Sequence, residues 1–144
     1  QHTDSPAAVQ AAQERGVWAV GQASDMARFG AKAHLTAIVD VWDSYYVERT
    51  KAAMEGNWES KDTWEGFNAG MVEMSDYNSA IPEGVVAMAK QAEADIAAGK
   101  LHPFTGPIKN QAGEKVIGAG ETLSDEQLLS MDWYVEGVQG DLPK

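Results

Sequence analysis

The sequence predicts an α/β chain, and three observations predict it. The chain opens in the order loop, helix, strand, loop. A second apolar, partly β-branched run, Leu35 to Val39, leads straight into a helical stretch. Apolar residues then recur at spacings of three and four between Pro82 and Ala98. Short buried strands alternating with longer helices are the signature of a sheet flanked by helices.

The elements follow in order. Asp4 or Ser5 stands where a side chain can cap a helix, Pro6 suits its first turn, and Ala7 to Arg15 are good helix formers. Gly16 is a natural stop. Val17 to Val20 reads as a short buried strand and Gly21 to Asp25 as the loop after it. Together these make half of a βαβ unit whose first strand would precede Gln1. Leu35 to Val39 reads as a second buried strand. Val41 to Glu55 reads as a helix ended by Gly56, with a short strand at Gly70 to Met74 inside the Trp-, Gly- and Asp-rich segment 57–78. The clearest helix spans Pro82 to Ala98, with Val85, Met88, Ala89, Ala92 and Ile96 on one side and Gly99 as its stop. His102 to Gly120, rich in Pro and Gly, reads as irregular chain with a hairpin at Asn110 to Gly113. Ser124 and Gln127 form a capping box for a last helix, Asp125 to Met131.

Composition narrows the function classes. With 44% apolar and 8% aromatic residues the chain has material for a core. Its five tryptophans can bury large areas or form flat walls for planar ligands. A net charge of −11 repels nucleic-acid phosphates and anionic lipid headgroups, so nucleic acid is set aside as a partner. There is no cysteine, hence no disulfide framework and no thiol chemistry. No run approaches the roughly 18 apolar residues of a membrane helix. The opening QHTDSPAAVQ has neither the basic start nor the apolar run of a signal peptide, which both a processed secreted protein and a piece of a longer one would show.

Three places can carry ligand chemistry. His2-Thr3-Asp4-Ser5 precedes a helix, where loops at strand C-terminal ends surround the ligand crevice of α/β sheets. Asp4 there is either a helix cap or a binding group. Ser24-Asp25 occupies the equivalent loop after the next strand, and Asp25 is either another cap or an acceptor for ligand hydroxyls and amino groups. Trp42 follows the second strand and either packs in the core or stacks on a planar ligand. The three histidines, His2, His34 and His102, lack metal-ligand spacing. Walker A, nucleophile-elbow and dinucleotide-fold glycine motifs are absent. A His2, Asp4 and Asp25 acid–base set has no nucleophile or metal to serve.

Several strings together resemble the basic membrane lipoprotein family, the purine-nucleoside receptor type of ABC-transporter substrate-binding protein. They are QHTDSPAAVQAAQERGVWAVGQASDM at 1–26, AKAHLTAIVDVWDSYY at 31–46, LHPFTGPIKNQAGE at 101–114 and LSDEQLLSMDWYVEGVQG at 123–140. The resemblance implies the C-terminal part of a two-lobed, type I periplasmic-binding fold with Rossmann-like lobes. Residues 1–40 would belong to the second ligand-binding lobe. Residues 41–144 would supply the crossover helix, C-terminal lobe elements and tail. The N-terminal half, with its signal peptide and lipid-bearing cysteine, would lie outside this chain.

The resemblance also implies a non-enzymatic, extracytoplasmic receptor without a cofactor. It would capture a purine or purine nucleoside for the permease of an ABC importer and meet the membrane only through the lipid anchor. His2, Thr3, Asp4, Asp25 and Trp42 would line the ligand. In the nucleoside receptors an acidic loop at the 22–25 region holds the ribose and a lysine follows the next strand. Here Gln22-Ala23-Ser24-Asp25 keeps one acid and no lysine stands near Ile38 to Asp40, which moves the expected ligand toward a free base such as adenine. A nucleoside-processing hydrolase or a ligand sensor on the same fold is the alternative.

Overall fold

The computed structural model describes residues 4–142, in two compact units that divide between Ala98 and Gly99. In the first unit the Ala-rich segment forms α1, Ala7–Glu14. Ser5 Oγ accepts the free N–H of Ala7 at 3.2 Å. The helix ends at Gly16, whose φ of +65° lets the chain reverse. There the Gly16 N–H donates to the Gln13 carbonyl and the Val17 N–H to that of Ala12. The buried face of α1 carries Val9 and Ala12. Val9 lies against Gly30, where a Cβ would come within 2.9 Å of the valine Cγ2.

Two parallel strands follow, β1 at Ala19–Ala23 and β2 at His34–Asp40, paired from Ala19 with His34 to Ala23 with Val39. β3, Val72–Met74, runs antiparallel on the other side of β2, matching Met74 with Ile38 and Val72 with Asp40. The central β2 holds His34, Thr36 and Ala37 buried. Beyond β3 the chain stays bound to β2 through side chains. Ser75 Oγ accepts the Ala37 N–H at 2.9 Å, and Asn78 Nδ2 donates to the carbonyls of Ala31 and His34, each at 2.8 Å.

The first strand departs from the sequence expectation. It starts two residues later than Val17 because the Val17 N–H is taken up in ending α1. It also runs through Gly21, Gln22 and Ala23, which read as loop. Gly21 serves close packing against β2, and the reversal falls at Ala23, whose φ is +70°. Nor is the run buried: Val17, Trp18 and Val20 are about half exposed.

The remaining helices stand close to their expected bounds. α2 spans Asp43–Glu55 and ends on left-handed Gly56. α3 spans Glu83–Ala97. Neither buries a residue fully, and on the expected apolar side of α3 Val85 and Met88 are exposed while Ala89, Ala92 and Ile96 are half-buried.

The second unit contains the expected hairpin. β4, Ile108–Lys109, pairs antiparallel with β5, Lys115–Ile117. Asn110 Oδ1 accepts the N–H groups of Ala112 and Glu114 at 3.0 Å, which closes the turn. Ile117 is buried. The capping box of Ser124 and Gln127 opens α4, Asp125–Leu129, two residues shorter than expected. Gln111 Nε2 pins the tail through the carbonyls of Val138 and Gly140. No helix among the described residues is long and apolar enough to cross a membrane.

Candidate ligand-binding site

Parallel pairing of β1 and β2 sets the C-terminal ends of both strands, Ala23 and Val39, side by side. In α/β sheets that edge is where ligands bind. Ser24-Asp25 leaves one strand end and Val41-Trp42 the other. The first of these loops turns back: Ala23 adopts its left-handed conformation, and the Ser24 carbonyl comes within 3.2 Å of where a Gly21 Cβ would stand.

This turn carries Asp25 toward the face of the sheet. Its Oδ1 accepts the Ala27 N–H at 2.7 Å, an Asx-type turn that starts a 3-10 turn at Ala27–Phe29. The same oxygen lies 3.6 Å from Nε2 of His34, which is 3% exposed against 43% for the aspartate side chain. Asp25 thus combines a local capping contact with an accessible carboxylate.

Trp42 occupies the N-terminal boundary of α2 and is 45% exposed. Its ring meets the Tyr46 ring edge-on at 6.4 Å, Tyr46 meets Tyr45 at 5.7 Å, and the Arg49 guanidinium lies 5.1 Å from the Tyr45 ring centre. Among the described residues these rings leave Trp42 and Tyr46 exposed beside the end of β2. A cleft of about 340 Å³ adjoins it, lined by Val41, Tyr45, Glu48, Arg49 and Gly70 among others.

Asp4 is exposed in the bend ahead of α1, and among the described residues it is the Ser5 side chain that accepts the Ala7 N–H. His2 and Thr3 lie outside the described residues. A larger cleft of about 620 Å³ opens between the segment after β3 and α3, lined by Asp76, Tyr77, Asn78, Glu83, Lys90 and Glu93 among others. Because β3 is antiparallel to β2, this cleft lies toward the start of β2, away from Trp42. Size favours it, but the strand-end rule and the aromatic surface favour the other edge. Among the described residues no group of His, Cys, Asp and Glu is arranged to hold a metal ion.

His34 is the site neighbour that sequence reasoning missed. Its signal was a histidine opening the otherwise apolar run 35–39, a place where a polar ring needs a buried partner.

Residues 1–110 match the model of a family described as ABC transporter substrate-binding protein PnrA-like. A purine-binding protein of Brucella abortus (strain 2308) is 47% identical over 144 residues, covering 100% of this chain and 41% of that protein. A putative ABC transporter glucose-binding protein of Haloferax volcanii is 31% identical over 144 residues, covering 99% of this chain and 34% of that protein. Among solved structures, that of a transcriptional activator of the comK gene from Bacillus halodurans superposes with a TM-score of 0.60 at 28% identity, over 68% of this chain and 35% of that one. The chain therefore spans less than half the length of these relatives.

Proposed function

The chain belongs to the PnrA-like family of ABC transporter substrate-binding proteins, and from that membership we propose that the whole protein is an extracytoplasmic receptor that hands a purine-like solute to the permease of an ABC importer. The observation that carries the reading is the 47% identity, along all of this chain, to a protein named for purine binding. The site chemistry is compatible with it. Trp42 offers an open indole face for a planar base, and Asp25 offers an accessible carboxylate to the N–H groups of its edge. Asp4, in the exposed bend before α1, joins them with His2 and Thr3 as lining. The protein binds and does not transform its ligand.

Thermal unfolding of the intact protein with adenine, guanine, adenosine, inosine and glucose tests this. A ligand at 100 times its Kd adds about 2.7 kcal/mol of stability. The expected result is a raised Tm with one or more purines and none with glucose. A shift with glucose alone, the ligand in the name of one relative, or with none of the panel would end the purine reading. Release of free base from adenosine or inosine would end the receptor reading in favour of a hydrolase.

A sensing role has one observation in its favour, the superposition on the structure of a transcriptional activator of the comK gene. Loss of purine uptake on deleting the gene separates delivery from sensing.

A further inference from the structure

The two buried polar side chains of β2 are treated unequally. Thr36 Oγ1 donates to the Ser75 carbonyl at 3.0 Å. His34 Nε2 is buried and has no hydrogen-bond partner. An unpaired buried polar atom costs about 1–3 kcal/mol, and an apolar side chain of similar volume would fill the space without that cost. The Asp25 carboxylate lies beside it, 3.6 Å away and not yet at hydrogen-bond distance.

The histidine is held still around that approach. Its backbone N–H donates to the Gly30 carbonyl at 2.9 Å, and its backbone carbonyl accepts from Asn78 Nδ2 at 2.8 Å. Gly21 leaves the ring its space, since a Cβ there would stand 3.2 Å from Nε2. On the other side, Ala27 N–H and His34 Nε2 both address the same oxygen, Oδ1. A carboxylate has about four acceptor positions, so a ligand can use the second oxygen while the first is anchored.

We propose that His34 is a positioning residue: its buried Nε2–H holds Oδ1 of Asp25 from inside the lobe, so that Oδ2 faces the ligand. This rests on the role proposed for Asp25 in ligand binding. A movement of well under 1 Å turns the 3.6 Å approach into a charge-assisted hydrogen bond, and a ligand drawing on Oδ2 favours that step.

The test uses the full-length protein, with adenine and adenosine as probes, in the variants His34→Leu, His34→Gln, Asp25→Ala and the double variant Asp25→Ala/His34→Leu. A side-chain donor remains in His34→Gln and is lost in His34→Leu. The expected result is a Kd raised about tenfold in His34→Leu and restored to within about threefold of wild type in His34→Gln, the size of one hydrogen bond to a charged group. The double variant should bind no worse than Asp25→Ala alone. Equal weakening by Leu and Gln, additive effects in the double variant, or unaltered binding in His34→Leu or Asp25→Ala would each overturn the proposal. Hydrogen exchange at the Ala27 amide in the ligand-free protein is read in parallel, because that amide bonds the same Oδ1 that His34 already attracts electrostatically across 3.6 Å. Exchange should quicken in His34→Leu but not in His34→Gln. Should wild type bind neither probe, the purine reading fails, and unchanged Ala27 exchange in His34→Leu would still overturn the positioning role on its own.

Discussion

A Cβ placed on Gly21 would stand 2.9 Å from the Cβ of Ala37, its partner across the parallel pair. The same Cβ would lie 3.2 Å from His34 Nε2 and 3.2 Å from the Ser24 carbonyl. Strand, neighbouring strand and returning loop therefore converge on a position with no room for a methyl group. Gly21→Ala should lower the stability of the intact protein by about 1–3 kcal/mol, the usual cost of overpacking. Ala37→Gly in the same chain should return part of it. Urea midpoints measure both, and an unmoved midpoint in Gly21→Ala would contradict this packing.

Ala23 turns the chain in the left-handed region, where a Cβ costs roughly 1–2 kcal/mol. Ala23→Gly should be neutral or stabilising by up to about 1 kcal/mol, the relief being partly offset by the greater freedom of the unfolded chain. Ala23→Val should destabilise, because β-branching adds crowding there. A loss of stability in Ala23→Gly as large as in Ala23→Val would count against a strained turn.

Asn78 binds three stretches of chain at once. Its amide donates to Ala31 and His34, its carbonyl oxygen accepts from Ala80, and its own N–H donates to Leu35. Asn78→Ala should cost about 2–3 kcal/mol at roughly 1 kcal/mol per bond lost. Asn78→Asp keeps the acceptor but removes the double donor, so it should recover little. Thermal unfolding of both variants checks the ranking.

Burial raises the pKa of Tyr77 above its ordinary 10.0, with the negative charge of Glu93 adding to the effect. The folded state thus holds its phenolic proton to higher pH than the unfolded state does. The resulting stability is fully present below pH 10 and is lost as pH rises through the folded value. Wild type should lose stability more steeply than Tyr77→Phe above pH 10, with Glu93→Gln in between. At pH 7 Tyr77→Phe should be neutral or stabilising by up to about 1–3 kcal/mol, since the buried hydroxyl it removes has no hydrogen-bond partner. Parallel alkaline titrations of Tm for the three proteins decide the matter.

Trp42 should report the ligand directly. Trp42→Ala should weaken adenine binding by about 1–3 kcal/mol, the scale of base–aromatic stacking, and Trp42→Phe by less. Calorimetric titration measures it, and unaltered affinity in Trp42→Ala would remove it from the site.

Much of this fold was legible because local chemistry fixed it. Leu35 to Val39 lay inside β2, Gly56 ended α2, and the capping box of Ser124 and Gln127 opened α4. The misreading around Val17 to Asp25 has a common cause. One glycine, Gly16, governed the residue after it, and another, Gly21, served packing between strands instead of a turn. The first is a local helix-ending pattern that delays the strand, and only the second depends on a partner distant in sequence, Ala37. Likewise Asp25 was legible as an accessible acid in a loop, but its approach to His34 depended on the loop folding back at Ala23, a non-glycine residue that no turn rule marks.

The exposure of the indoles has an optical consequence. Trp18, Trp42, Trp58 and Trp64 keep between 45% and 60% of their surface in solvent, while Trp133 is half-buried. Emission from this chain is therefore dominated by water-relaxed, red-shifted indoles open to a soluble quencher. A purine stacking on Trp42 would darken one emitter among several and pass almost unseen. Replacing Trp18, Trp58 and Trp64 with phenylalanine would turn the same event into a large fractional change, making Trp42 a built-in gauge of occupancy.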